Sequence, residues 1–167
     1  LTLTKVRVAA DDVVGAVGGA FEPVQAAVDR ATAALCAEAV GALDALLTQS
    51  IDHLKTRRQF GSPLARFQVL QHRLADMLIS LESARSMACA AAMAVDGADA
   101  ARRRRVVSAA KAFVGQAGRR AGQCAIQLHG AMGMTDECRV GHYVKRLIVI
   151  DQLFGNAAHH VRQFAGA

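Results

Sequence analysis

An all-α domain is what this sequence predicts: an up-down four-helix bundle with a short C-terminal tail helix. Three observations carry that expectation. Apolar residues make up 53% of the 167, alanine the commonest among them, while aromatics reach only 4%. Alanine loses no side-chain entropy in a helix, so this balance favours closely packed helices. Apolar residues recur at threes and fours through long stretches, the period of a helix with one buried face. Helix breakers are few, with two prolines in the chain and glycines gathered at a handful of turns. The length suffices for a domain with a substantial core.

The elements follow in order. Leu3, Val6 and Val8 predict the end of a strand and a loop over Leu1 to Val14. Gly15, Gly18 and Gly19 then form a flexible turn. Its GAVGG lacks the lysine and preceding buried strand of a phosphate loop and reads as a connector. Residues 1–19 are thus set apart from a bundle domain over 20–167. The first helix is predicted from Phe21 to Phe60, about 60 Å at the standard rise. Leu35, Leu43, Leu47, Ile51 and Leu54 mark its apolar stripe, and Asp29, Glu38, Asp44, Asp52 and Lys55 its wetter side. Gly61 and Pro63 break the helix. A second helix is predicted from Pro63, a residue suited to a first turn, to Val95. Its stripe is Phe67, Leu70, Leu74, Met77, Leu78 and Leu81, continued by Ala84, Ala88 and Ala92. Asp96-Gly97-Ala98-Asp99 ends it, with Gly97 as the C-terminal cap. A third helix follows from Ala100 to His129, with Val106, Ala110, Phe113, Val114, Ala117, Ala121, Cys124 and Leu128 inward. Glycines at 130 and 133 break it, a fourth helix spans Asp136 to Phe154, and a tail helix carries Val161 and Phe164.

The formal net charge is +6 and the pI about 9.7. Such a balance fits nucleic acid, anionic lipid or a phosphate-rich cofactor. The interleaved aromatics of a single-strand binder and any DNA-reading motif are missing, which argues against nucleic acid. Arg102 to Arg105 fall in the first turns of the third helix, unfavourably placed against its dipole. The run reads as a solvated basic patch, with docking of an acidic partner or phosphate as the sharper reading. None of the four cysteines (36, 89, 124, 138) lies in a CxxC pair. Cys36, Cys89 and Cys124 sit in apolar helical surroundings and are expected as buried free thiols, which fits a cytoplasmic location. No signal peptide or membrane-spanning run is expected, and the first residues have the character of an internal piece of a longer protein.

The chemistry-bearing stretch is Thr56-Arg57-Arg58-Gln59-Phe60-Gly61-Ser62-Pro63-Leu64, followed by Phe67-Gln68. Two arginines, an amide and a ring suit a flat, anionic ligand, and equally an ordinary solvated helix end. Taken with Leu74-Ala75-Asp76-Met77, the stretch resembles the opening of the C-terminal domain of acyl-CoA dehydrogenases. Gln127-x-His129-Gly130-Ala131-x-Gly133, followed by Thr135 and Glu137, is similar to the family's other fingerprint. Residues 1–15 resemble the exit from its middle β-domain, so a β-domain remnant is expected ahead of the bundle.

The resemblance implies FAD bound across a subunit interface, a related partner subunit in a homo- or hetero-oligomer, and an acyl-CoA substrate. Arg57 would neutralise the FAD pyrophosphate by charge-assisted bonds. Phe60 would pack beside the cofactor and Gln68 would hydrogen-bond it. Gln127, Leu128, His129, Gly130 and Ala131 would approach with backbone, and Gly130 permits that approach. A role as a plain helix-end histidine stays open for His129. Gly155 and Asn156 are carried over as cofactor-facing.

The family reaction is α,β-dehydrogenation of an acyl thioester, with a carboxylate as base. In the common pattern that base is the Glu of a Tyr-Glu-Gly-Thr turn, which falls here on Leu153-Phe154-Gly155-Asn156, so Phe154 stands at the Glu position. Some members place the base on the first helix, where the matching position is Ala31. Asp29 is the nearest carboxylate, about 200° away around the helix. The departure resembles the base-lacking subunit of heteromeric α2β2 bacterial acyl-CoA dehydrogenases, whose substrates include steroid CoA thioesters. Two alternatives remain: an active enzyme with a displaced carboxylate, Asp29 or Asp151, and a non-enzymatic scaffold that has lost the flavin. No metal site is expected.

Overall fold

A computed structural model of the protein describes residues 2–97 and 99–166. Leu1 of the expected strand, Ala98 of the expected inter-helix turn and Ala167 at the end of the bundle lie outside the described residues.

Among the described residues five α-helices form: α1 (Phe21–Thr56), α2 (Gln68–Val95), α3 (Ala100–His129), α4 (Arg139–Gln152) and the tail helix α5 (Ala157–Ala165). The all-α bundle with its tail helix is the predicted fold. Apolar stripes meet in one core, with Cys36, Leu43, Leu46 and Leu54 from α1 and Met77, Leu81, Ala84 and Ala91 from α2. Val107, Ala110, Val114 and Ala117 of α3 and Val140, Leu147 and Ile150 of α4 complete it. α3 is the spine, packing against each of the other four helices. Small residues let it do so. A Cβ on Gly118 would stand 3.2 Å from Leu147 of α4, and one on Gly122 would stand 3.2 Å from Val144.

Several boundaries differ from the prediction. Over residues 2–20 the chain forms no strand, only a 3-10 turn at Ala10–Asp12, and every side chain there is exposed. α1 stops at Thr56 and α2 starts at Gln68, because the segment between folds into a hairpin of β1 (Arg58–Gln59) and β2 (Ser62–Pro63). Its two-residue loop is Phe60-Gly61, with φ of 53° and 78°. Positive φ at both positions is the type I′ geometry that matches strand twist. α4 is shorter than expected, since a 3-10 turn at Gly130–Met134 delays its start and Leu153 is already extended. On α2 the small-residue face runs through Ala91, whereas Ala92 and Leu78 face solvent.

The charge pattern also departs from expectation. Asp29, assigned to the wet side, is buried against Arg103, whose Nε donates to Oδ2 at 2.9 Å. The basic run fastens the ends of the chain to the spine instead of facing solvent throughout. Arg104 pairs with Glu22 and lies over the Phe21 ring, and Arg105 lies over Phe164 of α5. The unfavourable helix start is offset by Asp99, whose carboxylate accepts from the Arg102 N–H. Of the thiols, Cys36 is buried and pushed up to about 11 by that burial, while Cys89, expected inside, is exposed. α1 and α2 each have the length and apolar composition of a membrane span, although the stripe of α1 is packed in the bundle core.

Candidate functional site

The hairpin after α1 displays the first motif. Its anchor is local: the Arg57 N–H donates to His53 O at 2.8 Å, and the Leu64 N–H donates to Arg57 O at 2.9 Å. Arg57, Phe60 and Gln68 all face solvent. Phe60 is 89% exposed at positive φ, with only an edge contact to Phe67. A bulky residue in that backbone region is strained, and strain of this kind gathers at binding surfaces. Among the described residues Arg57 forms no ion pair, so its guanidinium points outward with its donors uncommitted.

The second motif sits at the far end of α3. Gln127, Gly130 and Ala131 are exposed, while Leu128 and His129 are buried. Gly130 has φ of 61°, turning the chain where glycine alone is unstrained. Gly133 is buried, and a Cβ there would lie 2.9 Å from Ile126 O, so this segment is pressed onto the helix end. His129 Nδ1 donates to Ala125 O at 2.8 Å, and its ring stacks on His53 with centroids 4.4 Å apart. The stack brings the two motifs together. His53 escaped the sequence reading; its only signal is its place one helical turn before Arg57.

Gly155 and Asn156 lie elsewhere. Their turn is tied to Lys111, eighteen residues before His129, a separation of about 27 Å along α3 at 1.5 Å per residue. A single compact pocket cannot take in both ends. The Asn156 side chain is itself engaged, accepting from the His159 N–H to cap α5.

The turn between α4 and α5 is held from three sides. Lys111, with no exposed surface, donates from Nζ to Asp151 O at 2.9 Å and Gly155 O at 2.7 Å. Burial holds its ammonium below the usual lysine range. The Asp151 carboxylate accepts from the Ala157 N–H at 3.1 Å and from Arg119 at 3.0 Å. His160 is pushed down to about 4 by burial and then by the Lys111 charge, so it is neutral at pH 7. Its Nε2 donates to Phe154 O at 3.1 Å, and Ser108 Oγ donates to its Nδ1 at 3.3 Å. Phe154 itself adopts φ of 55° and is half exposed. It borders a cavity of about 290 Å³ together with Asp29, Thr32, Ser108 and His159. The Asp29 carboxylate in that wall is occupied, accepting from Gln25 at 2.8 Å as well as from Arg103. Lys111 and His160 have no place among the sequence-predicted site residues, although a lone lysine within Val106–Val114 is a visible anomaly; Asp151, a candidate displaced base, is instead a structural member of this junction.

The comparisons agree on a family. Residues 21–166 match the family described as acyl-CoA dehydrogenase, C-terminal domain. Acyl-CoA dehydrogenase IpdE2 of Mycobacterium tuberculosis is 35% identical over 118 residues, covering 71% of this chain and 35% of that protein. Solved butyryl-CoA dehydrogenase from Megasphaera elsdenii superposes with a TM-score of 0.88 at 25% identity, over 95% of this chain and 41% of that one. A steroid ACAD structure, the G363A variant of Tcur3481-Tcur3483, superposes at 0.78 with 28% identity, over 83% and 38%. The chain belongs to the acyl-CoA dehydrogenase C-terminal domain family. It spans about a third of the length of the curated relatives it matches.

Proposed function

We propose that this chain supplies the helical half of an interfacial FAD site in an acyl-CoA dehydrogenase-like assembly and brings no catalytic base of its own. The observation that carries the second part is Phe154. The turn that would present a carboxylate is built and locked by Lys111, Asp151 and His160, yet it presents a phenyl ring that cannot accept a proton. The nearby carboxylates do not replace it. Asp29 is held by Arg103 and Gln25, and Asp151 by Arg119 and the Ala157 N–H. These contacts speak against the displaced-carboxylate alternative.

The residues present fit FAD. An outward guanidinium, an exposed ring on a strained hairpin and a glycine-turned backbone segment offer what a diphosphate and a flat heterocycle require. Arg57 would pair with the pyrophosphate, Phe60 and Gln68 would flank the cofactor, and Gln127 to Ala131 would approach it with backbone. When bound, the flavin serves as hydride acceptor for α,β-dehydrogenation of an acyl-CoA thioester. The proton at the α-carbon then needs a base from a related partner subunit. The name of the steroid ACAD neighbour supports a bulky, steroid-type CoA substrate. We place the assembly in the cytoplasm.

The test is turnover with an artificial electron acceptor, the complete protein alone against the protein with its partner subunit. Turnover only in the pair is expected, and full turnover by the protein alone sinks the missing-base reading. Loss of bound FAD in Arg57→Ala, by about tenfold or more in affinity, checks the cofactor role. Unchanged occupancy would favour a scaffold that has lost the flavin.

A further inference from the structure

The two cofactor segments leave different helices, and the His53–His129 stack joins them. His53 lies in the last turn of α1, and its carbonyl accepts the N–H of Arg57. His129 is the final residue of α3, immediately before the glycine that turns the second segment outward. The rings lie 4.4 Å apart and 27° from parallel. The His129 ring is held by Nδ1, which is committed to Ala125 O, and Gly133 packs so near that a Cβ there would stand 3.1 Å from the His129 Cβ.

We propose that His53 is a positioning residue: by stacking on His129 it holds the Arg57 hairpin and the Gly130 segment in register, and so makes FAD affinity fall on acidification. The inference rests on the flavin reading above. Among the described residues, the charges that shift His53 are His129 from α3 and Arg57 from the hairpin; Asp52, its neighbour on α1, is exposed. A proton on His53 therefore meets a second imidazole 4.4 Å away and, beyond it, the positive charge of Arg57. Burial first, then those two neighbours, hold His53 below its ordinary value. The sign follows. The stacked arrangement takes up a proton less readily than an open one. Its stability is full above the ordinary histidine value of about 6.5 and is lost as pH falls through the lowered folded value. A bound pyrophosphate would push the other way, drawing a proton onto His53 and tightening at low pH, so the direction of the effect is diagnostic.

The experiment titrates FAD into the complete apoprotein, with its partner subunit, at about pH 8 and about pH 5.5, for wild type, His53→Phe and His53→Ala. Wild type should bind more weakly, by about severalfold, at the lower pH. His53→Phe keeps a ring on His129 without a titrating nitrogen. It should match wild type at the higher pH and show a flattened acid response. His53→Ala should be weaker at both. A second arm needs no cofactor: hydrogen exchange of the Arg57–Gly61 and Gly130–Met134 amides, corrected for intrinsic pH dependence. Both segments should loosen together on acidification in wild type and not in His53→Phe. The same acid loss in His53→Phe, tighter FAD binding at low pH, or segments that loosen independently would each overturn the proposal. Absence of FAD binding at every pH would refute the flavin reading while the exchange arm still decides the coupling.

Discussion

Asp29 shows how a single side chain changes meaning once its surroundings are known. A carboxylate near a cleft invites a catalytic reading, but this one is buried with its oxygens committed to Arg103 and Gln25. Removing one partner of a buried ion pair leaves the other uncompensated, at a cost of about 3 to 5 kcal/mol. Asp29→Ala should therefore lower the unfolding free energy by that order in a denaturant titration. A general base would behave oppositely, with activity abolished and stability kept. Hydrophobic periodicity could not have revealed the pair, because Arg103 stands 74 residues away and inside a run that reads as solvated. Lys111 makes a similar case. Lys111→Met fills much of the same volume but strips two buried carbonyls of their donor. With about 1 to 3 kcal/mol for each unsatisfied group, a loss of about 3 kcal/mol is expected by chemical denaturation.

Among the elements, α3 sets the geometry of both ends of the molecule. Its glycines decide how close α4 can come. At Gly115 the fit is absolute: a Cβ would lie 2.2 Å from Asp151 Oδ1. Gly115→Ala must displace that carboxylate and break its hold on the Ala157 N–H and Arg119, costing about 2 kcal/mol. The melting temperature should drop, and the α4–α5 turn should exchange its amides faster than the rest. His160 adds a pH dependence to the same junction. Its folded value near 4 is below the ordinary histidine value, so its contribution is full above about 6.5 and fades as pH falls toward 4. The loss should be on the order of 3 kcal/mol, and His160→Gln, which keeps a donor without titrating in that window, should flatten the curve of stability against pH. The first three helices were legible because their stripes are long and periodic. The hairpin was not, because nothing in sequence announces a phenylalanine at positive φ; only the neighbouring glycine hints at it. The length of α4 was overread for a related reason, since Leu153 and Phe154 are apolar and continue the pattern after the backbone has left the helix.

At the scale of the whole molecule, two distinct arrangements stand at opposite ends of one helix. One end of α3 carries an outward-facing set, Arg57, Phe60, Gln68 and Gln127. The other end carries a locked turn about 27 Å away. The motifs at the first end were readable as residue types in order; that they meet through a pair of histidines was not, since neither ring belongs to a pattern with a required spacing. That Phe154 stands at the family's Glu position rests on counting along the sequence, whereas the hold of Lys111 and His160 on the turn around it is visible only in the structure. This arrangement makes the central claim reversible. Phe154→Glu places a carboxylate on a turn already fixed by Lys111, Asp151 and His160. In the complete protein loaded with FAD and without a partner subunit, the decisive measurement is acyl-CoA-dependent bleaching of the flavin in wild type and in Phe154→Glu. Negligible bleaching is expected in wild type and a gain of about 10²-fold or more in the variant, the usual contribution of a positioned base. Wild type that bleaches by itself as fast as the variant, or a variant as silent as wild type, would contradict the claim.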